Sequence, residues 1–282
     1  MERDNLTEYL STKDFLVTGE TFHLLYDKEM DMLCTSPQPR PENLSRYYES
    51  DAYISHTDSG RGLLAMLYQT VKKYSLKKKT GLIKKINKKP GSLLDIGAGT
   101  GAFLYAAKNN GWKIDGVEPN EKARDLASEK GIELLASLDD VANKQYDVVT
   151  LWHVLEHLPD LDSVVGKISD RVKPGGNLVI AVPNFKSFDA NYYKEFWAAY
   201  DTPRHLWHFS KTAVKKIFKE DFQLIECKPM LFDSFYVSLL SEKYKNGRSF
   251  SLRAIYTGLR SNLRGRRTKE YSSHIYHFRK HQ

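Results

Sequence analysis

Residues 93–103 read Leu-Leu-Asp-Ile-Gly-Ala-Gly-Thr-Gly-Ala-Phe. An apolar strand ends at a carboxylate, Asp95, and turns through Gly97, Gly99 and Gly101 into a helix. Glycine serves where backbone must bend tightly or lie against a ligand with no Cβ in the way. The helix start that follows offers free N–H groups to an anion. Gly97-x-Gly99-x-x-Ala102 also satisfies the dinucleotide fingerprint, so the loop alone leaves the ligand open. Two further residues discriminate. Asp95 precedes the loop, where it would repel a pyrophosphate and attract a cationic amino-acid group. The strand expected over 113–118 ends at Glu118, which can accept hydrogen bonds from both hydroxyls of an adenosine ribose.

A second constellation follows the strand expected over 146–151: Leu151-Trp152-His153-Val154-Leu155-Glu156-His157-Leu158-Pro159-Asp160. With a helix starting near Val154, positions 153, 156 and 157 stand at i, i+3 and i+4 and share one face. Downstream, Pro203-Arg204-His205-Leu206-Trp207-His208-Phe209 supplies more imidazoles. Histidine removes protons near neutral pH, which makes His153, His157 and His208 the candidate catalytic groups. His-x-x-Glu-His also matches a reversed zinc-protease signature, a reading its place between the other motifs disfavours.

Asp95-x-Gly-x-Gly-x-Gly with Glu118 one helix later resembles the class I S-adenosylmethionine (SAM)-dependent methyltransferases, in particular the bacterial group related to ubiquinone-pathway O-methyltransferases. Lys173-Pro174-Gly175-Gly176 and the apolar strand after it match the same pattern, so the resemblance covers about half the chain. It implies an α/β fold with a doubly wound, mostly parallel seven-stranded sheet. It also implies a SAM crevice formed by Asp95, Gly97, Gly99, Gly101, Glu118 and Pro119. Ser137 and Leu138 would lie by the adenine, and Leu151 and Trp152 by the methionine. The Leu-Glu-His-Leu stretch resembles ubiquinone-pathway and small-RNA 2′-O-methyltransferases, in which Glu-x-x-Glu-His holds a divalent metal with a later histidine. Carried over, His153 replaces the first glutamate, Glu156 and His157 match, and His208 is the fourth ligand.

The elements that position these residues alternate from residue 92 onward at the rhythm of a parallel sheet. Strands are expected over 92–96, 113–118, 132–135, 146–151, 177–182, 222–228 and 272–280, the last lying antiparallel inside the sheet by the resemblance. Helices are expected over 101–110, from the Asn120 cap to Gly131, from about Val154, and over 211–220. The core is read as 91–282, with a helical insertion at 233–267. Residues 61–90 read as a basic amphipathic helix with Leu76, Leu82, Ile83 and Ile86 facing the core. Residues 1–60 read as a small β-rich cap resembling a degenerate zinc ribbon, with Asp27 and Met30 where a Cys-x-x-Cys pair would stand, so it is expected to hold no metal. The cap and the insertion are expected to cover the acceptor side of the crevice.

Composition bounds the rest. With 41% apolar and 12% aromatic residues among 282, the chain can bury a substantial core. Two cysteines, far apart and without metal spacing, and no visible signal sequence or membrane span fit a reduced, cytoplasmic setting. A net charge of +8 is concentrated in 72–89, with nine lysines, and in the arginine-rich 253–280. Such charge suits a solvated helix face, with peripheral contact with an anionic membrane or RNA as alternatives. The aromatic segment 191–209 favours an apolar or ring-bearing acceptor, and the resemblance implies a small molecule methylated on oxygen. The alternatives are an RNA ribose methyltransferase, against which no recognisable RNA-binding module precedes the core, and a SAM-binding protein without catalysis.

Overall fold

Alternation of apolar strands with helices from Ser92 onward produces a mixed sheet of six strands, in a computed structural model that describes residues 6–40, 43, 45–48, 63–248 and 251–282. The expected junction between cap and basic helix, 49–62, falls outside these residues. Four strands run parallel: β4 (Ser92–Ile96), β5 (Lys113–Val117), β6 (Tyr146–Trp152) and β7 (Val172–Pro183). Then β10 (Ser273–Lys280) inserts antiparallel between β7 and β9 (Phe222–Pro229), for the order β5-β4-β6-β7-β10-β9. Both faces are covered, so the central strands are apolar throughout, as in Leu178-Val179-Ile180-Ala181-Val182, wholly buried.

The strand expected over 132–135 contributes only one bridge, Leu135 to Val117. The left-handed turn at Gly131 and the capping box of Ser137 with Asp140 leave too little extended chain between them for a seventh strand. Lys173-Pro174-Gly175-Gly176, expected as a turn before the strand, lies inside β7 as a bulge between the pairs Tyr146–Val172 and Val148–Asn177.

Helices cover the sheet: α1 (Leu63–Asn87), α2 (Ala102–Lys108), α3 (Glu121–Ser128), α4 (Leu161–Arg171), α5 (Phe188–Tyr193) and α6 (Lys211–Phe218). Ile83 of α1 is sealed in the core beside Leu93 and Val148, with Leu76, Leu82 and Ile86 packed against it. No helix starts at Val154. Residues Leu155–His157 make a single 3-10 turn, and α4 begins at Leu161 under the Asp160 cap. Pro159 explains the break, since the residue before a proline avoids helical dihedrals.

Two features frame the site from outside the sheet. The N-terminal strands β1 (Thr7–Lys13), β2 (Thr21–Asp27) and β3 (Met32–Ser36) form an antiparallel sheet whose fourth strand, β8 (Trp207–Phe209), comes from the core. Asp27 accepts the Met30 N–H at 2.8 Å and closes the β2–β3 turn. Between β9 and β10 stand α7 (Asp233–Asn246) and α8 (Leu252–Thr268). Buried Asp189 ties them in, accepting from Trp197 Nε1, Ser261 Oγ and Ser272 Oγ at 2.6–2.8 Å.

Arg204, 1% exposed, locks the two sheets together. Its guanidinium reaches Asp14 Oδ1 at 2.9 Å, Asp201 Oδ1 at 2.7 Å and the Tyr47 carbonyl at 2.9 Å. Removing one partner of a buried ion pair costs about 3–5 kcal/mol, so Asp14→Ala should lower unfolding free energy by that order in a urea titration. Burial raises the pKa values of Asp14 and Asp201, but Arg204 outweighs it and holds both below the ordinary carboxylate range. A depressed folded pKa contributes stability above the unfolded value, about 3.9, and loses it as pH falls through the folded one. Wild type should therefore lose stability below about pH 4 more steeply than Asp14→Asn.

Candidate active site

The loop from β4 into α2 bends where the glycines permit it. Gly97, Gly99 and Gly101 have φ of 72°, 53° and 70°. The amides of Gly97 and Ala98 donate to the Val117 carbonyl at 2.8 and 2.9 Å, pinning the loop to β5. A Cβ on Gly97 would lie 2.3 Å from Val154 Cγ2, so no side chain fits there. At Gly99 a Cβ would meet nothing within 4 Å, because that face borders a cleft.

The cleft, ≈ 340 Å³, falls in the about 300–1,000 Å³ range of small-molecule sites. Asp95, Gly97, Gly99 and Trp152 line it, together with Leu76 and Lys79 of α1. Lys79 escaped the sequence reading because it sits in a lysine run that reads as a solvated face. Its one signal is its position three residues after core-facing Leu76. The Lys79 ammonium lies over the Trp152 ring, 4.4 Å from the centroid.

Asp95 is 2% exposed and accepts the Thr150 hydroxyl at 2.6 Å. Burial pushes its pKa up to about 7, against the pull of Thr150 and Lys79. Glu118 accepts the Gly99 amide at 2.8 Å and the Asn120 amide at 2.9 Å, so its carboxylate ties the loop to the end of β5. Gly101 caps α2, and a Cβ there would press on Ala127. Pro119 is exposed, Ser137 caps a 3-10 turn, Leu138 packs on the core and Leu151 lies within it. None of these five residues lines the cleft.

The histidines do not share a helix face. His153 stands at the end of β6 with φ of 59° and its amide on the Ala181 carbonyl. Its ring bridges two carboxylates, Nδ1 to Glu156 Oε1 at 3.4 Å and Nε2 to Asp233 Oδ2 at 3.2 Å. Burial opposes the charge, but Asp233 and Glu156 win and raise the His153 pKa to about 10. His153 is thus an imidazolium at neutral pH, not a ready proton acceptor. His208 turns the other way: buried beneath the β3–β8 ladder, its Nε2 meets Thr35 Oγ1 at 3.1 Å, and burial lowers its pKa far below the usual value.

His157 finds a different companion, His205, whose ring lies 4.5 Å away at 84°. Each donates Nδ1–H to a backbone carbonyl, His157 to Arg204 at 3.0 Å and His205 to Ala199 at 2.9 Å. In a neutral ring so held, Nε2 carries the lone pair. Burial and His205 push the His157 pKa down to about 4. Glu156 is 1% exposed, and among the described residues its one charged contact is the long His153 Nδ1–Oε1 pair at 3.4 Å. Despite burial, the neighbouring histidines hold it below the ordinary range, and hence ionised. Among the described residues, Glu156, His157 and His205 bring donor atoms within 4.8 Å of one another. A buried carboxylate beside two imidazoles oriented by carbonyls has the donor chemistry of a divalent-cation site. Of the residues expected to hold a metal, Glu156 and His157 thus stand together with His205, whereas His153 faces Asp233 and His208 faces Thr35.

A family model described as "Methyltransferase domain" matches residues 68–225, more than half the chain. The chain belongs to this family. As a methyltransferase-family member it is 36% identical over 127 residues to a ubiquinone biosynthesis O-methyltransferase of Vibrio atlanticus, covering 41% of this chain and 51% of the relative. It is 33% identical over 121 residues to the protein so named in Yersinia pestis strain Pestoides F, covering 39% and 48%. The chain thus spans about half the length of the curated relatives it matches. Among solved structures it resembles Haemonchus contortus phosphoethanolamine N-methyltransferase 2 in complex with S-adenosyl-L-methionine. That match has a TM-score of 0.54 and 16% identity over 99% of this chain and 69% of the other, a likeness of fold.

Two outcomes follow for this methyltransferase-family site. Gly97→Ala should cost about 1–3 kcal/mol through overpacking against Val154, read as a lower denaturation midpoint. Asp233→Asn should lower the His153 pKa from about 10, read by NMR titration of the ring, while leaving His208 unchanged.

Proposed function

We propose that the protein transfers a methyl group from SAM to an oxygen of an apolar or aromatic small molecule. The observation that carries this reading is buried Asp95 at the carboxyl end of β4, beside the open face of Gly99. That carboxylate suits the α-ammonium of SAM, and Lys79 across the cleft suits its carboxylate. Glu118, with one lone pair of each oxygen on a backbone amide, keeps the other for the ribose hydroxyls. Trp152 borders the methionine end in this reading.

Displacement at a sulfonium requires chiefly that acceptor and methyl be aligned. The acceptor side is covered from two directions. Asp233 of the insertion reaches His153, and the Tyr48 hydroxyl lies 3.2 Å from His157 Nδ1. The one free lone pair of His157, on Nε2, faces either an acceptor proton or a cation, not both, whereas charged His153 orients. Glu156, His157 and His205 would hold a divalent cation, which when bound supplies a lowered pKa to an acceptor hydroxyl.

Calorimetry of SAM binding tests the cofactor assignment. Glu118→Ala should weaken binding by roughly 1.5–3 kcal/mol, and Gly99→Val should abolish it; unchanged affinity in both would refute the site. Binding of the α-ammonium requires ionised Asp95, so affinity should fall as pH drops through about 7 and level off above it. Cell extract incubated with methyl-labelled SAM should carry label into the organic-soluble fraction. Label confined to RNA would assign a ribose acceptor instead, and no label a silent SAM-binding protein. Equilibrium dialysis with Zn²⁺ or Mn²⁺, read by elemental analysis, should show one bound ion in wild type, lost in Glu156→Gln and His205→Ala.

A further inference from the structure

Helix α8 is built inside out. The residues it buries are small, Ala254, Thr257, Gly258, Ser261 and Gly265. Their size is required: a Cβ on Gly258 would sit 2.8 Å from the Phe235 ring, and one on Gly265 2.6 Å from Tyr271. Its large apolar residues face outward, Leu252 at 74% exposed, Ile255 at 42%, Tyr256 at 61%, Leu259 at 50% and Leu263 at 51%. They recur at helical spacing, in one stripe along the solvent side. A helix of a water-bathed protein ordinarily reverses this arrangement, and contiguous exposed apolar surface marks an interaction site.

Charge and position indicate what covers the stripe. Helix α8 has no acidic residue and carries Arg253, Arg260, Arg264, Arg266 and Arg267, all exposed. Arg260 and Arg264 lie over the Phe188 ring, 5.0 and 5.6 Å from its centroid, which sets them along one flank of the stripe. The apolar surface continues to the start of α7, where Asn262 Nδ2 of α8 donates to the Leu231 carbonyl at 2.9 Å. Leu231 and Phe232 are themselves about half exposed. Phe232 meets exposed Tyr74 of lysine-rich α1 edge-on, 5.5 Å between ring centroids. One residue on, Asp233 reaches His153, the chain neighbour of cleft-lining Trp152.

We propose that this face, the outer stripe of α8 with Leu231 and Phe232, docks the protein onto an anionic lipid surface. Leucine, isoleucine and tyrosine enter the boundary between headgroups and acyl chains, and the arginines pair with lipid phosphates. Among the described residues no helix is long and apolar enough to cross a membrane, so attachment by this face is peripheral. The docking itself does not rest on methyl transfer.

Co-sedimentation of the full chain tests it. Vesicles of phosphatidylcholine mixed with phosphatidylglycerol should carry the protein down, those of phosphatidylcholine alone should not, and high salt should release it. The triple variant Leu252→Ser, Leu259→Ser, Leu263→Ser and the double variant Arg253→Gln, Arg267→Gln should each lose binding by about tenfold or more. Their circular dichroism and thermal midpoints should match wild type, since all five side chains are exposed. A Tyr256→Trp reporter should shift its emission to the blue on anionic vesicles only. No sedimentation of wild type, or variants that sediment like it, would overturn the proposal. So would a dimer in analytical ultracentrifugation that the serine variant dissociates without any vesicle binding, which would assign the face to a second copy. Binding of an RNA oligonucleotide lost in the arginine variant but kept in the serine variant, with no vesicle binding, would overturn it as well.

Discussion

One buried charge organises the junction between the N-terminal sheet and the histidine cluster. The Arg204 guanidinium draws Asp14 from the N-terminal sheet, Asp201 from its own loop and the Tyr47 carbonyl into a single knot. Its backbone carbonyl meanwhile accepts from His157. The ion-pair geometry thus sets the orientation of an imidazole it never touches, and places His205 one residue further on. A pair sealed from water adds little net stability over apolar packing. What it supplies here is register, because only one arrangement of cap, loop and 3-10 turn satisfies every donor.

Around that knot the same residue type takes three chemical states. His153, between Asp233 and Glu156, holds its proton. His157, desolvated and beside His205, gives its proton up readily. His208, within β8 and facing Thr35, is buried and neutral. Partners and burial, not distance along the chain, separate a positioning cation from a lone-pair donor. Glu156 stands between them as the carboxylate that both kinds of histidine share.

The sheet and cofactor loop were legible because their constraints are local. Gly97 answers to Val154, a close approach that any side chain would crowd, and apolar strands covered on both faces announce themselves. The histidine cluster was only partly legible. Spacing at i, i+3 and i+4 presupposes a helix, and Leu158-Pro159-Asp160 cancels it by starting α4 later. His205 became a neighbour of His157 only through the fold of the 201–205 loop, whose anchor, Asp14, lies far away in sequence. Lys79 was hidden by its own surroundings, one inward lysine among many outward ones. The 132–135 segment has strand-like residues, but the punctuation at Gly131 and Ser137 leaves room for one rung alone.

The connection from β9 to β10 shows how the sheet accommodates added chain without losing its register. Strand β10 is fixed by ladders on both sides, Tyr276 opposite Ile180 and Cys227, so its register does not depend on what precedes it. Lengthening such a connection costs only about 0.6 kcal/mol per doubling in chain-closure entropy. Helices α7 and α8 therefore occupy a nearly free port in the sheet. Through it the outer face of the chain can vary while β10 keeps its register, provided the first turn of α7 still brings Asp233 to His153.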